Sequence, residues 1–167
     1  MSRSRNGKIV LDREALLERI ETLKREGKRV VFANGCFDLF HVGHIRYLEG
    51  ASREGDVMLV ALNSDESARA LKGPERPVMP LVERMEMVAA VECVDMVTKF
   101  EGTDCADLLK MLKPDVHAKG TDWSAETIPE RDIVRGYGGR IAIVGDPKDH
   151  SSSGLLEEIK KRGLKPN

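Results

Sequence analysis

No stretch of the 167-residue chain holds the run of ~20 apolar residues that spans a bilayer. The opening MSRSRNGKIV carries basic side chains with no long apolar core behind them, so a secretory signal is not expected. Charge of one sign is missing too. Lys and Arg number 27 against 28 Asp and Glu, a formal charge of −1, and no global basic field argues for nucleic acid. Cysteines are three, an odd number without metal-site spacing. Cys36, Cys93 and Cys105 are expected as reduced thiols in a cytoplasmic protein, Cys36 either packed or reactive. There is no GxxxxGK[ST] phosphate loop, no forced Ser–His–Asp order, no acid pair, no repeat and no low-complexity segment. What is present is ordinary for a globular domain: 41% hydrophobic and 33% charged residues. The length suits one domain with a sizeable core.

Strand and helix patterns alternate along it. Residues 1–8 are expected to be a mobile polar tail. Asp12 can cap a helix to about Glu26 with Leu16, Leu17, Ile20 and Leu23 on one face, and Gly27 supplies its stop. Strands are expected at 29–34, 57–62, 93–98, 115–118 and 140–144. Helices are expected from 42 to about 53, through Ala70, at 81–91, after a cap at Thr103, at 125–136, and after Ser151. In helix 81–91, Val82, Met85, Val88 and Ala89 form the apolar side, and Met87 hints at a second buried face. Residues 71–77, with two prolines, a glycine and two cations, should form a loop. The tail and first helix occupy 1–27 and the main domain 28–162, within one unit. The alternation predicts an α/β fold with a doubly wound parallel sheet of five strands and right-handed crossovers.

The stretch from Val30 to Ser52, VVFANGCFDLFHVGHIRYLEGAS, organises the rest. An apolar strand ends at Asn34-Gly35, and His41-Val42-Gly43-His44 opens a helix. Two histidines three apart share a helix face. A helix N-terminus attracts anions through its unpartnered N–H groups and dipole. Gly43, which costs roughly 1 kcal/mol against Ala in a helix, would let a phosphate approach the backbone. Ligands of open α/β sheets bind beyond the carboxyl ends of the strands. Asn34-Gly35, Asn63-Ser64-Asp65, Lys119-Gly120 and the serine loop all fall near those ends.

NGCFDLFHVGHIRYL resembles the signature of the HxGH nucleotidyltransferases, the cytidylyltransferase-like superfamily with a Rossmann-like sheet. NSD (63–65), LKGPERPVMP (71–80) with Arg84, PD (114–115), KGTDW (119–123) and YGG (137–139) follow in order. Together they resemble, over about residues 28–160, the branch that makes ADP-heptose from heptose 1-phosphate. LKGxxRP with KGxD separates that branch from the glycerol-phosphate and ethanolamine-phosphate cytidylyltransferases. The resemblance implies ATP and a sugar 1-phosphate as substrates, with Mg²⁺ arriving on the triphosphate. It implies a stand-alone cytoplasmic enzyme acting after a separate sugar kinase, with no nucleic-acid or membrane partner. Relatives of this type commonly pair, and the apolar surface of 81–98 agrees with a homodimer.

By that resemblance His41, His44 and Lys72 are the catalytic residues, the histidines stabilising the transition state near the α-phosphate. Phe37 and Asp38 form the turn that places them. Asn34, Gly35, Gly43, Asn63, Asp65 and Arg84 belong to the nucleotide and substrate site. Lys72 and Arg76 hold phosphates of both substrates from a loop that closes over them. Lys119, Gly120 and Asp122 line the nucleotide pocket. Ser151, Ser152 and Ser153 stand where the family has a GxSTT-like turn over the β- and γ-phosphates. Here the first glycine is missing and Asp149-His150 precede the serines. No metal-ligand set is implied. Trp123 is either core or a base-stacking platform, and the serine triplet either a phosphate site or only a cap. His117 fits a core or edge histidine better than a ligand, and His150 is open. Two other functions stay in view: a cytidylyltransferase for glycerol 3-phosphate or phosphoethanolamine, and a non-catalytic nucleotide-binding domain.

Overall fold

The computed structural model describes residues 5–124, 126–147 and 150–163. The chain runs α1 (Arg5–Lys8), α2 (Arg13–Arg25), β1 (Val30–Gly35), α3 (Val42–Ser52), β2 (Val57–Asn63), α4 (Asp65–Lys72), α5 (Leu81–Ala89), β3 (Met96–Phe100), α6 (Ala106–Leu112), β4 (Val116–Gly120), α7 (Arg131–Gly136), β5 (Arg140–Val144) and α8 (Ser152–Lys161). The strands form one sheet in the order β3-β2-β1-β4-β5, parallel throughout, so β1 is central.

The period-2 alternation of a strand divides β1 between two apolar layers. Val31 and Ala33 join one cluster, which holds Leu48 and Ala51 of α3 and Met85 and Val88 of α5. Val30 and Phe32 join the other, with Leu16 and Ile20 of α2, Leu108 and Leu109 of α6, and Val134 of α7. Both faces of the sheet are therefore covered, which is why β1 and β2 are near-continuous apolar runs. Helix α2 is part of this core: Asp12 Oδ1 accepts from Ala15 N, and Gly27 at φ 74° ends the helix.

Several expected boundaries shift for local reasons. The expected helix 125–136 shrinks to α7. Thr127 N and Thr127 Oγ1 both donate to Ser124 O, closing a separate turn, and Pro129 lacks a donor for a helical ladder. Thr103 caps nothing: the N-cap of α6 is Cys105, and Asp104 Oδ1 accepts from Ala106 N instead. Strand β3 starts at Met96, because Asp95 is spent bridging Met58 through its backbone N–H and its Oδ2. Val82 is 57% exposed and lies off the core. Leu71 and Lys72 close α4 instead of opening a loop. Within the expected tail, 5–8 form α1, and Ile9 bridges Val97.

Candidate active site

Between β1 and α3 the chain makes a sharp turn. Phe37 and Leu39 both take left-handed backbone, φ 48° and 47°, which non-glycine residues adopt only where surroundings compel it. The compulsion comes from buried charge. Asp38, 1% exposed, accepts from Arg76 Nε at 2.7 Å, from Val78 N at 3.0 Å and from Met79 N at 3.0 Å. Burial alone would raise its pKa, but the Val78, Met79 and Arg76 hydrogen bonds outweigh it and hold the carboxyl below its ordinary value. Arg84, fully buried, donates to Cys36 O at 2.5 Å, Met79 O at 3.0 Å, Asn63 O at 3.0 Å and Asp65 Oδ1 at 2.6 Å. It ties the end of β1 to the end of β2 and the start of α5.

These bonds correct part of the sequence reading. Arg76, expected to hold substrate phosphates, is ion-paired with Asp38 and buried. Neither it nor Asp38, Asp65 or Arg84 lines the cavity described next.

The turn delivers the histidines to the N-terminus of α3, where they cap it reciprocally. His41 Nδ1 accepts from Gly43 N at 3.1 Å, and His44 Nδ1 accepts from His41 N at 3.4 Å. The rings stack with centroids 3.9 Å apart. A Cβ at Gly43 would come within 3.0 Å of the His41 ring. The glycine thus makes room for the capping imidazole, where the sequence had suggested room for a phosphate. Burial, then His150 and Lys72, lowers the His41 pKa. Burial, then His41 and Lys72, lowers that of His44 to about 3. Both rings are therefore neutral near pH 7. With each Nδ1 accepting a backbone hydrogen, the ring proton of each sits on Nε2.

The rings open onto a cavity of about 550 Å³ at the carboxyl ends of the strands. Asn34, Gly35, Phe37, His41, Gly43 and His44 line it from β1 and α3, and Asn63 and Lys72 from β2 and α4. Lys119, Gly120, Asp122 and Trp123 line it from β4, and His150, Ser151, Ser152 and Ser153 from the start of α8. Lys72 is exposed at the rim. Ser151 Oγ caps α8 by accepting from Gly154 N at 3.0 Å, and Ser152 Oγ donates to Asp38 O. The Ser152 proton is thus committed within the protein, Ser151 caps with its oxygen and keeps its O–H, and Ser153 stands exposed. Trp123 lies over Lys119 Nζ, 5.1 Å from its centroid, on the cavity wall and not in the core. His117 is fully buried beneath that wall. Cys36 is a packed thiol, its pKa raised by burial, and its Sγ donates to Asn63 Oδ1 at 3.5 Å. Asp149 lies outside the described residues.

The sequence offered no signal for Thr103, Asp104 and Glu130, which line the cavity from the α6–α7 side. Nor did it for Arg46, which pairs with Asp146 at 2.8 Å across the mouth. Arg46 lies two residues after His44 and five after His41, so helical spacing sets it off their face.

A five-stranded parallel sheet whose first βα turn presents two stacked, neutral histidines, with Lys72 of α4 and Lys119 of β4 at the same cavity, defines a class of α/β nucleotide-handling domains. Residues 32–154 match the family model described as cytidylyltransferase-like, and the chain belongs to that family. Within it, the chain is 43% identical over 150 residues to the bifunctional protein HldE of Syntrophotalea carbinolica, covering 90% of this chain and 31% of that protein. It is 41% identical over 157 residues to the bifunctional protein HldE of Alcanivorax borkumensis, covering 94% and 33%. The chain thus spans about a third of the length of these curated relatives. Among solved structures, the lipopolysaccharide core biosynthesis protein of Thermoplasma volcanium superposes with TM-score 0.63 at 24% identity, over 73% of this chain and 100% of that one. The pantoate-β-alanine ligase of Francisella tularensis does so with TM-score 0.56 at 14% identity, over 93% and 78%. At those identities the likeness is one of fold. No helix of the described residues is long and apolar enough to cross a membrane.

Proposed function

We propose that this domain transfers the adenylyl group of ATP to D-glycero-D-manno-heptose 1-phosphate, giving ADP-heptose and pyrophosphate as a precursor for cell-envelope heptose. The observation that carries this reading is the pair of Nε2–H donors at the α3 N-terminus, in one cavity with Lys72 and Lys119. The likeness to HldE supports the choice of sugar.

In this reaction an oxygen of the sugar phosphate attacks the α-phosphorus of ATP. The new P–O bond forms as the bond to pyrophosphate breaks, and pyrophosphate leaves with the electron pair. The attacking oxygen is already anionic, so no base is needed. The protein's work is to position two anions and neutralise charge that grows on the transferred phosphoryl oxygens. His41 and His44 donate from Nε2 to those oxygens. Neutral rings serve, because a donor aimed by its cap needs no net charge. Lys72 and Lys119 screen the repulsion between the anions, and Ser153 with the α8 N-terminus receives the far phosphates. Asp38, Arg76 and Arg84 act by holding the turn. Gly120 admits the Asp122 side chain, whose Oδ1 would lie 2.8 Å from a Cβ there, and both face the nucleotide.

Mg²⁺ neutralises triphosphate charge in such transfers. Among the described residues no group of three or more His, Cys, Asp or Glu is placed to hold a metal ion. These residues fit a cation carried in by the triphosphate, and no step above runs through it. Chelation should abolish turnover without unfolding the protein. We further propose a cytoplasmic homodimer fed by a sugar kinase, since a kinase reaction is what makes a sugar 1-phosphate from a free anomeric hydroxyl.

The test is pyrophosphate release with ATP or CTP against heptose 1-phosphate, glycerol 3-phosphate and phosphoethanolamine. Release confined to ATP with heptose 1-phosphate is expected. Faster release with CTP and an alcohol phosphate would move the reading to the cytidylyltransferases. Release with no pair would leave a binding domain.

A further inference from the structure

The floor of the cavity, where β1 and β4 lie side by side, holds a chain of buried polar groups. Lys119 Nζ donates to Asn34 Oδ1 at 3.1 Å and stands 3.5 Å from Glu130 Oε2. The lysine side chain is 7% exposed and the glutamate 5%. Glu130 Oε1 accepts from Cys105 Sγ at 3.4 Å, while Oε2 has no hydrogen bond among the described residues. On the far side, His117 Nε2 meets the same Asn34 Oδ1 at 3.1 Å.

The protonation pattern follows from these partners. An ammonium only donates, so the Asn34 atom facing it is the carbonyl oxygen. That oxygen makes His117 Nε2 a donor. Burial, then Lys119, lowers the His117 pKa to about 3, so the ring is neutral with an unpartnered Nδ1. Asn34 is thus held from both sides with its NH₂ turned from Lys119. The ammonium itself is nearly out of water, and an unpaired buried cation would swing toward solvent. Glu130 supplies the counter-charge that keeps it in.

We propose that Glu130 is a positioning residue for Lys119: with the His117-braced Asn34 it fixes the ammonium on the sheet floor, aimed at a phosphate oxygen of the bound substrates. This rests on the transferase reading for its phosphate. Glu130 reaches the cavity wall but acts through Lys119. Its Oε2 is sealed from solvent behind Lys119. The pairing is also loose, at ion-pair distance without a hydrogen bond, so a phosphate oxygen can become the ammonium's stronger partner without dislodging it.

The experiment is a cycle of Glu130→Gln, Lys119→Met and the double variant in the full chain, with two readouts. The first is kcat and KM for pyrophosphate release. Glu130→Gln should lower kcat/KM about tenfold or more, and by less than about twofold once Lys119 is Met, the non-additivity of a residue acting through another. The second needs no activity. The chain has one tryptophan, Trp123, and its ring lies over the ammonium. Its fluorescence should change with Glu130→Gln in the native background and stay unchanged in the Lys119→Met background. Equal losses in both backgrounds, or no effect of Glu130→Gln on either readout, would overturn the proposal. If wild type releases no pyrophosphate, the transferase reading fails while the fluorescence cycle still judges the clamp. Should Glu130→Gln fail to fold, Glu130→Asp, which keeps the charge but retracts it, enters the same cycle with a smaller loss expected.

Discussion

His41 and His44 each hold a backbone hydrogen with one nitrogen and offer a proton with the other. Replacing either by Ala should lower kcat at least about a hundredfold, the scale of a lost charge-stabilising donor, with a much smaller change in ATP affinity. Near-normal turnover would remove them from the chemistry. Their titration has a direction too. His44 and His117 have folded pKa values near 3 against 6.5 for a free histidine, so folding excludes protons that the unfolded chain binds. Their contribution is fully present above pH 6.5 and is lost as pH falls toward 3. Urea midpoints measured between pH 7 and 4 should fall, and His117→Gln should flatten the slope. Asp38 adds a lower step, since its depressed pKa makes its contribution vanish as pH drops through the folded value. At neutral pH, Asp38→Asn strands Arg76 and should cost about 3 kcal/mol in denaturant unfolding. An unchanged midpoint would mean the pair carries little of the turn's stability.

The segment from Leu71 to Pro80 behaves as two pieces. Its far half is fastened, because Arg76 Nε, Val78 N and Met79 N all donate to Asp38. Its near half carries exposed Lys72 at the end of α4, with Gly73 at φ 99° beyond it. Amide exchange should show Val78 and Met79 protected without ligand, and new protection at 71–75 when an ATP analogue and sugar phosphate bind. Uniform change across 71–80 would argue for a lid moving as one body. The sequence made the three prolines and both cations visible, but not this division. The partner of Arg76 lies 38 residues away in a turn whose left-handed residues are Phe and Leu, not Gly. Strands and long helices were legible for the opposite reason: periodicity is local. The expected helix at 125–136 failed where local chemistry competed, at the Ser124–Thr127 turn and Pro129. Thr103, Asp104 and Glu130 were invisible because nothing local marks a residue that reaches a cavity from the far helical layer.

Across the whole molecule, one flank of α3 and α5 carries apolar side chains at the surface. Ile45 and Met87 are each 37% exposed and border a groove with Ala90, Val91 and Cys93, edged by Glu49 and Glu92, and Val82 lies exposed on α5. If two copies pair there, sedimentation at micromolar concentration should give twice 18.6 kDa, and Met87→Glu should halve it. A monomer in the unaltered protein would retire the dimer. The sheet order is a topology that no single segment encodes, so the sequence reading stopped at a doubly wound parallel sheet, although alternating elements admit few right-handed arrangements. The same order has a consequence for how the chain is made. Central β1 finds β2 across about thirty residues, but its other edge waits for β4, with Val31 opposite Val116. While a ribosome synthesises the segment between them, Val30-Val31-Phe32-Ala33, fully buried in the finished protein, presents an open strand edge. Nascent chains stopped before residue 116 should therefore collect as aggregates or on chaperones, and release should coincide with emergence of β4, the strand that also brings Lys119 to the floor of the cavity.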